Sequence, residues 1–392
     1  MFKRSKTLWT AWKILVATSR DGTLKVARPG EPVRELPSPL RLRPAAKLAS
    51  VFMDLATAAS RERHHPQAIA LLGEAEHLFE SVHASPRRNR WVAEILLRRG
   101  EELRLAGRYG DSQEALTRAG RLAEDDPGNP LRLAAVVNAQ GILAKDTGRY
   151  GDALAHYGFA RILMEADFGQ DDPALAAVHH NLAGLLCAQR RYAEAEEPAR
   201  HAVALRKRSP SPDPEGLAAD LSVLGSILLG LGRLDEAEHL YLQSKNVWTE
   251  RYGLEHYEVA AQLNGLASVH QARGEFESAE RDFKEALRLK QKCLGAGHRE
   301  TAVLLNNLGA LEMDRGHTDA AAPLYEWALL TFRNALGDDH PDTVLCAENL
   351  VRVSRQTGSW AGAKSDMDSV PPLCRDHSGA EIPDALTNRN PQ

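Results

Sequence analysis

A chain of 392 residues with 43% hydrophobic and 26% charged residues can bury a core, which argues against a disordered polyelectrolyte. Its net charge of −4 is unevenly spread: residues 1–44 hold ten Lys/Arg against three Asp/Glu, a basic arm on an acidic body. The four cysteines, Cys187, Cys293, Cys346 and Cys374, form no CxxC pair, and no run of 18 apolar residues occurs. Zinc ribbons, redox motifs and membrane-spanning helices are therefore not expected, and a reducing, cytoplasmic setting is.

The N-terminal arm comes first. Met1-Phe-Lys-Arg-Ser-Lys6 and the apolar stretch from Leu8 to Ala17 imitate a secretion signal in outline, but Lys13 interrupts the run and no small-x-small cleavage site follows. Ile14–Ala17 and Leu24–Val26 flank Asp21-Gly22, a pattern for a β-hairpin. The arm reads either as a solvated terminus or as a contact for nucleic acid, an anionic membrane or an acidic partner. It gives way at residue 45 to a long helical region, 45–364, which is followed by a Pro-containing tail over 365–392 expected to be disordered.

The helical region is periodic. Gly107, Gly148, Arg190, Gly232, Gly274, Gly316 and Gly358 are spaced by 41 residues once and then by 42 throughout. Two residues later stands Tyr109, Tyr150, Tyr192, Leu234, Phe276 or Trp360, and five later Ala153, Ala195, Ala237, Ala279, Ala321 or Ala363. Tyr157, Tyr241, Phe283 and Tyr325 follow in several copies, then Ala160, Ser244, Ala286 and Ala328. A glycine ends one helix and turns the chain. The four- and three-residue steps then set alanine, aromatic and alanine on one face of a second helix. A second punctuation, at Gly169-Gln-Asp-Asp-Pro173, Gly253-Leu-Glu-His256, Gly295-Ala-Gly-His298 and Gly337-Asp-Asp-His-Pro341, marks the loops between pairs. Ser209-Pro-Ser-Pro-Asp-Pro214 replaces one copy. Asp, His and Pro there read as helix-start residues rather than ligands. The earliest pair, 45–83, lacks its glycine and has His65-Pro66 in that region. About eight antiparallel pairs result, the last cut short after Trp360.

This pattern resembles the tetratricopeptide repeat in the long, 42-residue form of kinesin light chains and many bacterial repeat proteins. Ala302-Val-Leu-Leu-Asn-Asn-Leu-Gly-Ala-Leu311, Gly316, Ala320-Ala-Ala-Pro-Leu-Tyr325, Ala328 and Leu336-Gly-Asp-Asp-His-Pro341 match it best. The match is strong over 130–364 and weaker over 45–129. The resemblance implies an all-α fold, a right-handed α-α superhelix (solenoid), with a concave groove lined by the first helix of each pair. It further implies that groove positions precede the Leu-Gly/Ala step. Those positions hold Asn138, His180, Asn181, Ser222, Asn264, Asn306, Asn307, Glu348 and Asn349. Asn offers donors and acceptors to a peptide main chain and is a poor helix-interior residue, so its recurrence calls for a reason. One reason is a ladder gripping a ligand backbone; the other is bonding between neighbouring helices. A basic clamp for a terminal carboxylate is absent, since its column holds Ala177, Ala219, Ala261, Val303 and Leu345.

No P-loop, GxGxxG, HExxH or GxSxG motif occurs. The adjacent histidines His64-His65 and His179-His180 diverge by about 100° on a helix and cannot share a metal on one face. No catalysis, cofactor or metal is expected. The leading reading is a scaffold that binds an extended protein or peptide segment in its groove. The alternatives are a sensor whose curvature responds to a short signal peptide, and an adaptor acting on nucleic acid or membrane through the basic arm.

Overall fold

The computed structural model describes residues 42–357 apart from 81 and 127, together with the backbone of three short strands within 15–36. The strands are β1 (Leu15–Thr18), β2 (Leu24–Ala27) and β3 (Arg34–Leu36). They form an antiparallel sheet in the order β1-β2-β3, with Val16 opposite Val26 and Leu24 opposite Leu36. β1 and β2 overlap the hairpin read from the sequence, and β3 has no counterpart in that reading. The Asp21-Gly22 turn, the rest of the basic arm, Gly358, Trp360, Ala363, Cys374 and the tail lie outside the described residues.

Fifteen α-helices follow among the described residues. The first compact unit, Met1–Gln170, contains three pairs. These are α1 (Leu42–Arg61) with α2 (His65–His77), α3 (Pro86–Leu105) with α4 (Tyr109–Glu124), and α5 (Pro130–Asp146) with α6 (Tyr150–Phe168). The second unit, Asp171–Gln392, contains four more. They are α7 (Ala176–Ala188) with α8 (Tyr192–Arg208), α9 (Pro214–Gly230) with α10 (Leu234–Tyr252), α11 (Tyr257–Ala272) with α12 (Phe276–Leu294), and α13 (Arg299–Asp314) with α14 (Thr318–Leu336). A single helix, α15 (Pro341–Thr357), closes the second unit. Of the eight pairs expected, seven and the first helix of the last fall among the described residues.

The punctuation has a backbone cause. Gly107, Gly148, Gly232, Gly274 and Gly316 all have φ between 73° and 81°, the left-handed region that ends each first helix. Arg190 takes φ 57° at the same phase, and Arg63 takes φ 61° in the pair that lacks the glycine. Loop residues start the next helices as expected. The His256, His298 and His340 rings accept from the backbone N–H groups of Glu258, Glu300 and Asp342. Asp172 and Asp213 cap in the same way before Pro173 and Pro214.

Packing rests on matching large against small. Ala153, Ala195, Ala237, Ala279 and Ala321 are fully buried, as are Ala160, Ser244, Ala286 and Ala328. The buried Tyr157, Tyr241 and Tyr325 rings lie against Gly141, Gly225 and Gly309 on the first helix of their own pair, and Leu116 lies against Gly100. Tyr241 also reaches the next pair, where a Cβ on Gly265 would stand 2.4 Å from the ring. One aromatic therefore fixes the approach of three helices. Its hydroxyl meets Ser226 Oγ at 2.9 Å, so the buried polar atom keeps a partner.

Candidate functional site

Within each unit, the first helices of successive pairs touch: α1 with α3 and α3 with α5, then α7 with α9, α9 with α11, α11 with α13, and α13 with α15. The second helices make no comparable contact with one another among the described residues. Each stack therefore bends with its first helices inward, and those helices carry the residues anticipated for the groove. Asn138 lies on α5 in the first unit. His180 and Asn181 lie on α7, Ser222 on α9, Asn264 on α11, Asn306 and Asn307 on α13, and Glu348 and Asn349 on α15. All but the exposed Glu348 are half-buried.

Four of these asparagines are joined. Asn307 Nδ2 donates to Asn264 Oδ1 at 2.8 Å, and Asn349 Nδ2 donates to Asn306 Oδ1 at 3.0 Å. Each bond ties the first helices of neighbouring pairs. The bonds leave capacity unused, because a carboxamide has two N–H donors and an oxygen that accepts twice. Asn264 and Asn306 keep both donors, while Asn307 and Asn349 keep their acceptor oxygens. Donors and acceptors thus alternate along the inner face of α11, α13 and α15.

His180 behaves differently from its neighbours in the column. Its Nδ1 lies 2.9 Å from Oδ1 of Asp220 on α9. Asp220 is wholly buried, and its other oxygen accepts from Arg206 Nε on α8 at 2.6 Å. Arg206 Nη1 also donates to Asp213 Oδ2 at 2.5 Å. The sequence reading missed Asp220. Its signal was a carboxylate on an otherwise apolar face, between Leu217 and Leu224. A carboxylate accepts, so Asp220 takes the Arg206 Nε–H on one oxygen and the His180 Nδ1–H on the other.

Among the described residues no group of three His, Cys, Asp or Glu is placed to hold a metal ion, and no helix is long and apolar enough to cross a membrane. Cys187 and Cys346 pack inside α7 and α15. Cys346 is buried, and burial pushes its thiol up to about 12.

Comparison with known proteins places these features in a family. The tetratricopeptide repeat model matches residues 132–208, 217–292 and 258–331. The search of curated proteins gave no match. Among solved structures, NprR in complex with its cognate peptide NprX is similar with a TM-score of 0.62 at 11% identity, covering 85% of this chain and 90% of NprR. The apo form of RapI is similar with a TM-score of 0.50 at 12% identity, covering 82% and 88%. BtubC (BKLC) from P. vanneervenii aligns with a TM-score of 0.41 at 24% identity, over 61% of this chain and 97% of that one. With its 42-residue period, glycine-ended first helices and aromatic-on-glycine packing, the chain belongs to the tetratricopeptide repeat family.

Proposed function

We propose that the inner face of the second unit binds an extended segment of a partner protein, with Asn264, Asn306, Asn307 and Asn349 holding its main chain. The observation that carries this reading is the pair of interhelical Asn–Asn bonds, which orient four carboxamides and leave their remaining donors and acceptors unspent. A peptide main chain presents N–H and C=O groups in alternation and can use both sets without its side chains being read. The flanking Ala219, Ala261 and Val303 are small or apolar and favour contact with backbone over a charged terminus. NprR, the most similar in fold of the structures compared above, was crystallised with a peptide, which accords with this use of the fold. His180, Asn181 and Ser222 extend the same series at earlier first helices of this unit, and Asn138 holds the corresponding kind of position within the first unit.

The reading has a test that separates fold from binding. In Asn264→Asp/Asn306→Asp, each new carboxylate still accepts from Asn307 or Asn349, so the interhelical bonds persist, but the free donors are gone. Helix content by circular dichroism should be unchanged, while binding of peptides selected on the wild-type chain should fall at least tenfold. Full retention of binding by this variant would move the ligand surface elsewhere.

A further inference from the structure

The Asp220–Arg206 pair ties α8 to α9, but it is not a feature that the repeat requires. At the 42-residue step, the register mates of Asp220 are Gln262 and Leu304, and those of Arg206 are Trp248, Lys290 and Phe332. Trp248 and Phe332 fill that layer with buried rings, and Lys290 pairs instead with Glu300 at 3.1 Å near the start of the next helix. Burying an ion pair costs desolvation that its attraction need not return, whereas apolar residues of similar volume pack without that cost. What the pair produces here is a histidine held in one orientation on the inner face.

We infer that His180, braced by Asp220, is a specificity residue that takes an acidic side chain of the bound segment. The inference rests on the proposed peptide reading and adds a side-chain contact to it. The geometry supplies the chemistry. Nδ1 is committed to a carboxylate in the interior, and 27% of the side chain stays exposed. Nε2 has no partner among the described residues and is the ring atom left to a ligand.

Asp220 comes from α9 and Arg206 from α8, with Asp213 behind Arg206. On α7 itself stands His179, whose ring stacks on His201 of α8 at 4.4 Å. With Nδ1–H given to Asp220, it is the imidazolium form that would meet an incoming carboxylate, through a single Nε2–H. One donor suits one oxygen of an Asp or Glu side chain. A chain terminus would want the multiple donors of the basic clamp, which Ala177 and Ala219 do not offer. His180 is also the only base in its column, whose other members in this unit are Ser222, Asn264, Asn306 and Glu348.

The test uses the full chain and a phage-displayed library of random 12-residue peptides. Enriched peptides are synthesised with each Asp or Glu replaced by Asn or Gln, and with the C-terminal carboxylate free or amidated. All are titrated at one pH, below the melting midpoint of each protein, against wild type and His180→Asn, which carries the residue found at Asn264 and Asn306 and retains an N–H donor. One acidic side chain should matter: its neutralisation should weaken wild-type binding about tenfold or more, and leave His180→Asn binding unchanged. Neutralisation effects of equal size in both proteins would overturn the inference while leaving the groove reading intact. Dependence on the terminal carboxylate alone would overturn it too. A library that yields no binder would remove the groove reading and this inference together.

Discussion

Asn307 donates its carboxamide to Asn264 across the boundary between two consecutive helix pairs, and Asn349 repeats the contact to Asn306 one pair later. Asn307→Ala should therefore lower stability by about 0.5–1.5 kcal/mol, the net worth of one hydrogen bond, although alanine is the better helix former. Urea unfolding of the variant beside wild type measures this. An equal or higher midpoint would show that the bond contributes nothing to the stack.

The aromatic-on-glycine packing gives a ranking. A Cβ would stand 2.4 Å from the Tyr241 ring at Gly265, 3.0 Å from the Tyr325 ring at Gly309, and 3.2 Å from the Tyr241 ring at Gly225. Gly265→Ala should be the most harmful of the three alanine substitutions. Leucine at Gly225 or Gly309 should cost about 1–3 kcal/mol or more through overpacking. A midpoint for Gly265→Ala at or above that of Gly225→Ala would mean that Tyr241 does not set the approach of α9, α10 and α11.

At the ends of the first helices the cost lies in the backbone. Gly232 has φ 77° with nothing within 4 Å of a Cβ, so Gly232→Ala should lose about 1–2 kcal/mol through conformation alone. Arg190 sits at the same phase with φ 57°, and Arg190→Gly should raise the melting midpoint. A lower midpoint would show that the Arg190 side chain contributes more than its backbone strain removes.

The fold was legible because its signals are local. A left-handed residue must end each first helix, and the Ala–aromatic–Ala spacing must face it, so the period could be read even where Arg190 replaces glycine. Gly265 was not legible as a packing residue. Its constraint comes from Tyr241 in the preceding pair and has no echo at Asn307 or Val223, its mates one step either way. The site divides similarly. Recurrence marked the asparagines, but not that Asn264 would bond Asn307 rather than Asn306, one diagonal step further along. The link from His180 to Asp220 spans 40 residues, and that from Asp220 to Arg206 spans 14, so no pattern within one helix shows either.

Acid should unfold the chain in a definite window. Hydrogen bonds from Arg90, with further help from Arg132, hold the Asp126 carboxyl below its ordinary range. Arg200 and Arg233 do the same for Glu196. A carboxyl depressed in the native state is protonated first in the unfolded one, so its contribution is intact above the ordinary carboxylate range and is lost as pH falls through the native value. The melting midpoint should stay nearly level from pH 7 to about 5 and fall below about 4. A midpoint that holds steady down to pH 3 would show that these pairs do not stabilise the folded state.

The claim that the inner face grips a main chain is tested most directly by titrating library-selected peptides against wild type and Asn264→Ala/Asn307→Ala/Asn349→Ala by calorimetry, below the melting midpoints of both. The triple variant removes three carboxamides facing the ligand. At about 0.5–1.5 kcal/mol each, additive losses would weaken binding by roughly one to three powers of ten, with helix content nearly unchanged. Equal affinity for the two proteins would contradict the account and assign the interhelical Asn–Asn bonds to stability alone.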